Sequence, residues 1–429
     1  MFLMMAIFLI QGVVLFFLRQ AVVGVEMYLE EISIFLLAIN TLIFIFINGK
    51  EARSKKEFLI LLFAYLIRVF TLLWDIYGRG IFVLPNSGID TEVFQRYAVL
   101  FAEGGQINRG GVYFRIVGNI YRLFGVQRIM AQYFNVILSM FSIFLVKKSL
   151  EDLRLSARAR ELALLAMSFL PMYIIMSSIL LRESIIIFLI TLSLYHFIKW
   201  WRRASILHFV LALVCPLIAA LFHSGSMAPT LAYALIYLFY SPKRKKYEFT
   251  LKTILIAIVF FGTFIAIDVL FGTRMFRQFD NINSLDDIIN VTVRGETGYL
   301  RWMEATGTIG MIIFSPIRMF YFIASPLPMY WRGFNDIFGF FGSSWFYLAS
   351  YYLSFRNLRE KINRHKNLLI ALLIIALFST FMFAWGVNNA GTALRHRDKF
   401  IAIFVVAVAV AVDSLKYKKP DFQRIEETL

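Results

Sequence analysis

Charged side chains next to long apolar runs are the residues of this chain whose types and spacing could do chemistry. Arg182 and Glu183 lie between the apolar runs 162–181 and 184–197, with only a few residues available for a turn. Ionisable groups in such a place are energetically costly, so they are functional candidates. A guanidinium can bind a diphosphate through two parallel hydrogen bonds, and a carboxylate can neutralise it or accept a proton. A local ion pair that closes a tight hairpin is the alternative interpretation.

Two further polar turns interrupt the apolar runs. His223 begins a His-Ser-Gly-Ser sequence, where its imidazole could act as a base or could cap a helix. The later turn, 388–399, combines amides with cationic and acidic groups, which is what recognition of a sugar and a diphosphate requires. Its candidate substrate-binding residues are Asn388, Asn389, Arg395, His396, Arg397 and Asp398. Capping and anchoring at a membrane interface explain one or two of them, but not the whole cluster.

The polar stretch 78–127 contains a third set of candidates. Asp90 and Glu92 follow a Pro-Asn-Ser-Gly turn and would stand at the start of a helix. Acidic side chains favour the first turn of a helix, which is one explanation for them. The functional interpretation is that one carboxylate is a general base or orients a sugar hydroxyl. Glycines divide the stretch, which predicts short amphipathic helices lying on a membrane.

The elements that position these residues must be membrane helices. The chain has 429 residues, of which 60% are hydrophobic and 17% are charged, against about 45–50% and about 25% in soluble domains. Apolar runs of about 20 residues recur from end to end, which predicts an all-α, polytopic integral membrane helical bundle. A single cysteine, Cys215, excludes a disulfide framework and a cysteine-based metal site. No nucleotide-binding or metal motif is visible, so neither a cofactor nor a metal is expected.

Six clusters of lysine and arginine define the predicted topology, because positive residues favour the cytoplasmic side. The clusters are 50–56, 147–160, 199–203, 243–252, 356–366 and 416–424. Placing all of them inside predicts about twelve transmembrane helices with both termini cytoplasmic. The predicted spans are 2–18, 31–48, 58–77, 128–146, 162–181, 184–198, 205–222, 227–240, 253–272, 337–355, 367–386 and 400–415. The stretch 306–325 is left over and is interpreted as re-entrant or interfacial.

This topology predicts a single membrane domain over 1–429 with two long extracytoplasmic loops. The loops are 78–127 and 273–336, the second of which includes the re-entrant segment, and the cytoplasmic tail is 416–429. The net charge of +17 does not indicate nucleic acid, because the inner positive charges follow from topology and the outer ones are dispersed.

Basic residues outside the six clusters are nearly all arginine. Eighteen of them remain: Arg19, Arg68, Arg79, Arg96, Arg109, Arg115, Arg122, Arg128, Arg182, Arg274, Arg277, Arg294, Arg301, Arg318, Arg332, Arg395, Arg397 and Lys399. Arginine binds phosphate in bidentate fashion, so the set suggests an anionic phosphate ligand on the outer side. Snorkelling to lipid headgroups, together with pairing to outer acids, is the alternative.

Three segments together resemble the EpsG-like and Wzy-type polysaccharide polymerases of bacterial envelope synthesis. They are the Asp90-bearing loop, the pair Leu181 to Glu183 and Leu221 to Gly225, and Gly391 to Arg397, roughly a third of the chain. The resemblance implies a bacterial inner-membrane glycosyltransferase that joins undecaprenyl diphosphate-linked oligosaccharide repeat units at the outer face. It implies that membrane lipids and the lipid-linked glycan are partners, with a chain-length regulator and a flippase as further candidates.

The hypothesis is that an acceptor hydroxyl attacks a glycan whose leaving group is lipid diphosphate. Arg182, Arg395 and Arg397 would bind the diphosphate. The base would be Glu183, His223 or Asp90, and the other substrate-binding residues would be His396, Asp398, Glu92, Asn388 and Asn389. EpsG-like sequences often have Arg-Gln where this chain has Arg182 and Glu183, so the role of Glu183 stays open.

Other classes of protein remain as alternatives. The loop that contains Asp90 and Glu92 also resembles the opening loop of GT-C type glycosyltransferases, which use polyprenyl phosphate sugars. A flippase or other transporter would present arginines to a diphosphate as well. Transporters usually need charged groups at mid-membrane, whereas the predicted spans contain few, namely Arg68, Asp75 and Asp268. A structural scaffold would not account for the segregation of arginine from lysine.

Overall fold

Helices dominate the computed structural model, which describes residues 1–107, 111–251, 253–256, 258–259, 297–300, 307–360 and 363–416. The predicted all-α class is confirmed. The one two-stranded sheet in these ranges is a short hairpin, in which Tyr240–Ser241 pairs antiparallel with Lys246–Tyr247.

Six helices in the described ranges are long and apolar enough to cross a membrane. They are Phe2–Ala21, Val25–Glu51, Lys55–Tyr77, Arg128–Asp152, Glu183–Arg203 and Lys366–Gly386. At a rise of 1.5 Å per residue, about 20 residues cover the roughly 30 Å hydrocarbon core of a bilayer. The apolar helices predicted from the composition are therefore present, and they are compatible with a membrane protein.

The other helices are shorter. They are Ile89–Ala102, Tyr113–Phe124, Ala157–Phe169, Pro171–Met176, Ile206–Ala220, Ala228–Phe239, Gly307–Ala324, Phe334–Gly339, Trp345–Leu358, Ala390–Asp398 and Ile401–Lys416. Single turns of tighter helix occur at Val25–Tyr28, Ser224–Met227 and Pro328–Tyr330, and a wider turn occurs at Phe340–Ser344. Most of the predicted span 253–272 lies outside the described residues, as do 273–296 of the second loop and 417–429 of the tail.

The predicted span 162–181 is not one continuous helix. The helix Ala157–Phe169 ends before Leu170, and Pro171 starts the short helix Pro171–Met176. Leu170 has an extended backbone, with φ −62° and ψ 116°. Proline lacks the N–H that an uninterrupted helix would use and disfavours the helical conformation of the residue before it. A membrane span over 162–181 would therefore be a broken helix, a feature that apolar composition alone does not predict.

The short helices predicted within 78–127 are present as Ile89–Ala102 and Tyr113–Phe124. The second buries one face against Phe2–Ala21 and Ile89–Ala102, where the rings of Phe8 and Phe124 lie 4.8 Å apart. Gly12 permits this approach, since a Cβ there would stand 2.7 Å from the Phe124 ring. This apolar face is therefore covered by protein.

The chain forms two compact units. The first contains Met1–Leu145, Met167–Leu189 and Leu221–His223, and the second contains Val146–Ala166, Ile190–Ala220 and Ser224–Leu429. In the second unit, Lys366–Gly386 packs against the helices Ala228–Phe239, Gly307–Ala324 and Ile401–Lys416. Gly225 lies against Phe383 there, and a Cβ would meet that ring at 2.8 Å.

Candidate functional site

An ion-pair network in the first unit contains Glu92. Arg79 Nη1 and Arg128 Nη1 both donate to Glu92 Oε1, at 2.6 and 2.8 Å. The same two guanidinium groups approach the fully buried Asp75 at 3.3 and 3.4 Å. Gln132 Nε2 completes the Asp75 site by donating at 2.6 Å. Two arginines thus neutralise two carboxylates, and one of those carboxylates is the predicted substrate-binding Glu92.

Glu92 and Asp90 differ in environment although both stand in the first turn of Ile89–Ala102. Burial alone would raise the pKa of Glu92, but hydrogen bonds from Arg128 and Arg79 outweigh it and lower that pKa. Glu92 is therefore held as an ionised ion-pair partner. Asp90 is exposed, in the position that favours an acidic side chain at a helix start.

Non-helical backbone between Ser177 and Arg182 leads into Glu183. Asn135 Nδ2 donates to the carbonyl oxygens of Ile179 and Leu181, at 2.8 and 3.0 Å, and to the Tyr113 hydroxyl at 3.0 Å. The Asn135 amide thus holds the non-helical backbone that leads to Arg182 and Glu183. Buried carbonyl groups need such partners, and a helix would otherwise supply them.

The Arg182–Glu183 pair is only partly exposed. Glu183 is fully buried at the first position of the helix Glu183–Arg203. Burial raises the pKa of Tyr113, and the nearby Glu183 carboxylate raises it further. Arg182 is half-buried, and its Nε atom has no hydrogen-bond partner among the described residues. His223 is half-buried too and belongs to the same compact unit.

The polar turn at 388–398 is built against the segment 297–300 in the second unit. Gly298 and Asn389 form an antiparallel bridge, Tyr299 N donates to Asn388 O at 2.9 Å, and Ala390 N donates to Thr297 O at 3.0 Å. Asn389 also caps the helix Ala390–Asp398, because its Oδ1 accepts from Thr392 N at 3.2 Å. The predicted amide cluster is therefore held in one conformation.

Arg397 is fully engaged with protein acceptors. Its Nη1 donates to the carbonyl oxygens of Phe322, Ile323 and Ser325, at 3.2, 2.7 and 2.6 Å. Nε and Nη2 donate to the hydroxyls of Ser343 and Ser344, at 3.0 and 2.7 Å. These carbonyls end the helix Gly307–Ala324 and have no helical donors of their own. Arg397 thus acts as a structural cap, which does not favour its predicted role in diphosphate binding.

Asp398 keeps one oxygen available. Oδ1 accepts from the Tyr347 hydroxyl at 2.7 Å and from Ser343 Oγ at 2.9 Å, whereas Oδ2 has no hydrogen-bond partner among the described residues. Burial raises the pKa of Asp398 to about 6, although the charge of Arg397 and the two hydrogen bonds lower it. A carboxyl group with that pKa can exchange a proton near neutral pH.

Arg395 and His396 are both half-buried on the same short helix. The His396 ring stands edge-on to Phe383, with centroids 5.1 Å apart, and its Nδ1 lies 3.0 Å from Lys399 Nζ. Of the predicted cationic groups in this turn, Arg395 and His396 are thus the ones with accessible surface.

Arg318 is a buried arginine whose bonding capacity is only partly used. It is 0% exposed, its Nη1 donates to Asn388 Oδ1 at 2.8 Å, and its guanidinium lies 4.3 Å from the Trp385 ring centre. Nε and Nη2 have no hydrogen-bond partner among the described residues. A buried donor left unsatisfied costs roughly 1–3 kcal/mol, and more when it is charged. The sequence analysis included Arg318 among the basic residues outside the six clusters, but no local signal set it apart from the other arginines.

A cavity of about 240 Å³ is linked to Arg318 and Arg397 through two of its lining residues, although neither arginine lines it. Tyr330, Trp331 and Asp336 line it, together with Tyr299 and Ser325. The carbonyl of Ser325 is an acceptor of Arg397, and the charges of both Arg318 and Arg397 act on Tyr299. The cavity is smaller than the roughly 300–1,000 Å³ of drug-sized ligand sites. Its aromatic and polar lining and its volume suit a single sugar unit.

The structure brings the predicted residues together in two sets. Arg182, Glu183, His223, Asp90 and Glu92 belong to the first unit, and residues 388–398 belong to the second. Within the described ranges there is no group of three or more His, Cys, Asp or Glu side chains that could hold a metal ion. No family model matches the chain, and no curated protein matches it.

Proposed function

We propose that this protein is a glycosyltransferase that polymerises undecaprenyl diphosphate-linked oligosaccharide repeat units at the outer face of the bacterial inner membrane. The observation that carries the proposal is Arg318, a buried guanidinium with two nitrogens that have no acceptor in the part of the chain that the structure describes. Such a group supports binding of an anionic oxygen ligand, because ligand oxygens would satisfy its donors. The aromatic cavity lined by Tyr299, on which the charge of Arg318 acts, supports a sugar as the attached group.

The reaction needs no energy source besides the donor. The acceptor hydroxyl oxygen forms a bond to the anomeric carbon, the bond from that carbon to the phosphate oxygen breaks, and lipid diphosphate leaves. A base takes the hydroxyl proton, and cationic donors stabilise the negative charge of the departing diphosphate. We assign diphosphate binding to Arg318 and Arg395 of the second unit, and a capping role to Arg397. Arg182 of the first unit is a separate candidate for binding phosphate.

The base remains a choice among a few carboxylates and one imidazole. Glu183 and His223 stay candidates from the first unit, together with the exposed Asp90. Asp398 joins them because one of its oxygens has no hydrogen-bond partner among the described residues and its pKa is about 6.

We also infer about twelve membrane spans with both termini cytoplasmic. The six long helices account for half of them. The rest require shorter helices, such as Ile206–Ala220 and Ile401–Lys416, which have 15 and 16 residues. Helices of that length cover about 23 Å, so adjoining backbone would complete each crossing.

The direct test is incubation of the purified protein in liposomes with a labelled undecaprenyl diphosphate-linked repeat unit. We expect a ladder of longer glycans together with released lipid diphosphate. Addition of one sugar from a polyprenyl phosphate donor would instead identify a GT-C type enzyme. Movement of the labelled lipid across the bilayer without transfer would identify a flippase and contradict the proposal.

Two substitutions link the activity to the arginines proposed to bind phosphate. Arg318→Lys and Arg182→Lys should each lower the polymerisation rate by about tenfold or more, because a point charge does not reproduce the bidentate fork. Arg158→Lys, at an exposed position in a predicted cytoplasmic cluster, is the matched control and should retain the wild-type rate. An unchanged rate in Arg318→Lys would remove the main support for the diphosphate site.

A further inference from the structure

A second cavity in the second unit, of about 530 Å³, is rich in positive charge. Its lining includes Arg202, Lys245, Arg364, His365 and Lys366, and it contains no acidic residue within the described ranges. These residues come from three of the clusters that are predicted to be cytoplasmic. The cavity is distinct from the site at 388–398.

The walls of this cavity are held by specific contacts. Trp201 and Tyr240 stack with ring centroids 3.8 Å apart and an interplanar angle of 6°. Asn367 Nδ2 donates to Lys245 O at 2.8 Å, and the Tyr247 hydroxyl donates to Asn367 O at 3.2 Å. The hairpin is thereby tied to the start of the helix Lys366–Gly386, so the concave shape is built into the fold.

Three of the cations in the cavity are accessible and unneutralised. Arg202, Lys245 and Lys366 are exposed, and their side chains make no hydrogen bond or ion pair within the described part of the chain. Two neighbouring cations outside the cavity do have partners: Lys199 lies 2.8 Å from Asp152, and Arg244 lies 3.1 Å from Glu248. Three cations without a partner among the described residues thus line this one cavity.

The charges also converge on one point of the cavity. Burial lowers the pKa of His365, and the charges of Arg364 and Arg202 lower it further, against the raising effect of Asp413. Both arginines are thus close enough to act on the same imidazole, even though they are far apart in the sequence.

Backbone donors add to these side chains. The 21-residue helix Lys366–Gly386 begins at the cavity, and its first residues Asn367 and Leu368 line it. His365 is the N-cap residue, and its side chain makes no capping hydrogen bond. His365 N and Lys366 N already donate to Asn363, to its Oδ1 at 2.9 Å and to its carbonyl oxygen at 3.3 Å. The next N–H groups, those of Asn367 and Leu368, have no acceptor within the helix, and together with the helix dipole they favour an anion.

We propose that this cavity binds a phosphate-bearing anion, independently of the glycosyl transfer proposed above. The phosphate oxygens would accept from Arg202, Lys245 and Lys366 and from the helix N-terminus. The headgroup of an anionic phospholipid and free phosphate share this chemistry. Basic pockets on the cytoplasmic side of membrane helices bind such headgroups, and the aromatic pair Trp201 and Tyr240 is typical of a membrane interface.

The test is native mass spectrometry of the purified full-length protein with phosphatidylglycerol, phosphatidylcholine or inorganic phosphate as the probe. We expect retention of phosphatidylglycerol over phosphatidylcholine, and about a tenfold loss of its affinity in the double variant Arg202→Gln and Lys366→Gln. The control double variant Arg203→Gln and Lys243→Gln changes two exposed cations outside the cavity and should retain the lipid.

Each outcome of this experiment has a defined meaning. Retention of inorganic phosphate alone, lost in the cavity variant, would support the site and identify free phosphate as its ligand. Equal losses in the cavity and control variants, or no retention of either probe, would overturn the proposal. Lys366→Arg keeps the charge and should retain binding, which separates loss of charge from loss of folding.

Discussion

Three buried arginines show how the same side chain can serve the fold or a ligand. Arg68 donates to two serine hydroxyls and three carbonyl groups, and Arg397 to five protein acceptors. Within the described ranges, Arg318 has one hydrogen-bond acceptor, and two of its nitrogens have none. Satisfied guanidinium groups stabilise the backbone that they bind, whereas an unsatisfied one requires a further acceptor. Accessible surface and sequence position do not separate these roles, but hydrogen bonding does.

Arg397→Lys should destabilise the protein. The guanidinium donates to three carbonyls at the end of Gly307–Ala324 and to two serine hydroxyls, and a lysine ammonium cannot donate to all five. We expect a loss of roughly 3 kcal/mol in the free energy of unfolding, measured by thermal unfolding in detergent. Arg318→Lys should lose much less stability. Equal melting temperatures for Arg397→Lys and the wild type would contradict the capping role.

Asp398→Asn should change how stability depends on pH. The pKa of Asp398 is about 6 in the folded protein and 3.8 in the reference state, so ionisation is disfavoured by folding. The protonated carboxyl therefore contributes fully to stability below pH 3.8, and this contribution is lost as the pH rises through about 6. The free energy of unfolding falls by about 3 kcal/mol over that range.

The measurement for Asp398→Asn is the melting temperature between pH 4 and pH 7.5. The amide cannot ionise, so the variant should lack the fall in stability that the wild type shows across this range. Glu103→Gln, at an exposed position, is the control and should retain that fall. A fall that persists in Asp398→Asn would show that another group causes it.

At the scale of elements, the broken segment 157–182 is the main departure from regular helices. Arg68 donates to the carbonyls of Met167 and Ser168, and Asn135 donates to those of Ile179 and Leu181. Irregular backbone at membrane depth is tolerated only where protein or water supplies its hydrogen bonds. These two polar side chains are therefore part of what allows Arg182 and Glu183 to stand at a chain break.

Asn135→Leu should loosen this segment, since the carbonyl oxygens of Ile179 and Leu181 each lose a hydrogen bond from Asn135 Nδ2 and Ile179 O keeps only the bond from Leu181 N among the described residues. We expect faster amide hydrogen exchange over 177–183 and a loss of stability of about 2 kcal/mol. Ser33→Ala is the matched control, because the buried Ser33 Oγ donates within its own helix to Leu29 O at 2.7 Å. Unchanged exchange in Asn135→Leu would mean that other contacts hold the break.

At the scale of the whole molecule, topology depends on where 306–325 lies. The described helix Gly307–Ala324 has 18 residues and is interrupted by Pro316, so it is close to the length of a span. If it crossed the membrane, every later loop would change sides. The lysine and arginine cluster at 356–366 favours the cytoplasmic side for the loop that follows.

Single cysteines in a Cys215→Ser background should report this topology. Gly80→Cys and Thr392→Cys should react with a membrane-impermeant maleimide in intact cells, whereas Lys55→Cys and Arg203→Cys should react only after permeabilisation. Labelling of Thr392→Cys only in permeabilised cells would show that Gly307–Ala324 crosses the membrane and that the count of twelve is wrong.

The sequence by itself determined the properties that local composition controls. Runs of apolar residues predicted an all-α chain, and the helices Lys55–Tyr77, Arg128–Asp152 and Lys366–Gly386 agree with predicted spans to within a few residues at most ends. The choice of polar turns as candidate sites followed from the cost of ionisable groups beside apolar runs. Both signals act over one or two helical turns and can be read locally.

The tertiary structure alone decided which of those polar groups are hydrogen-bonded to protein acceptors and which keep donors for a ligand. Arg397 meets Ser325 across 72 residues and Arg318 meets Asn388 across 70, so neither pairing is visible in the local pattern. The break at Pro171 is likewise stabilised by Arg68, about 100 residues earlier. Hydrogen-bond satisfaction is a property of groups brought together by folding, because a buried donor needs whichever acceptor lies near it in space.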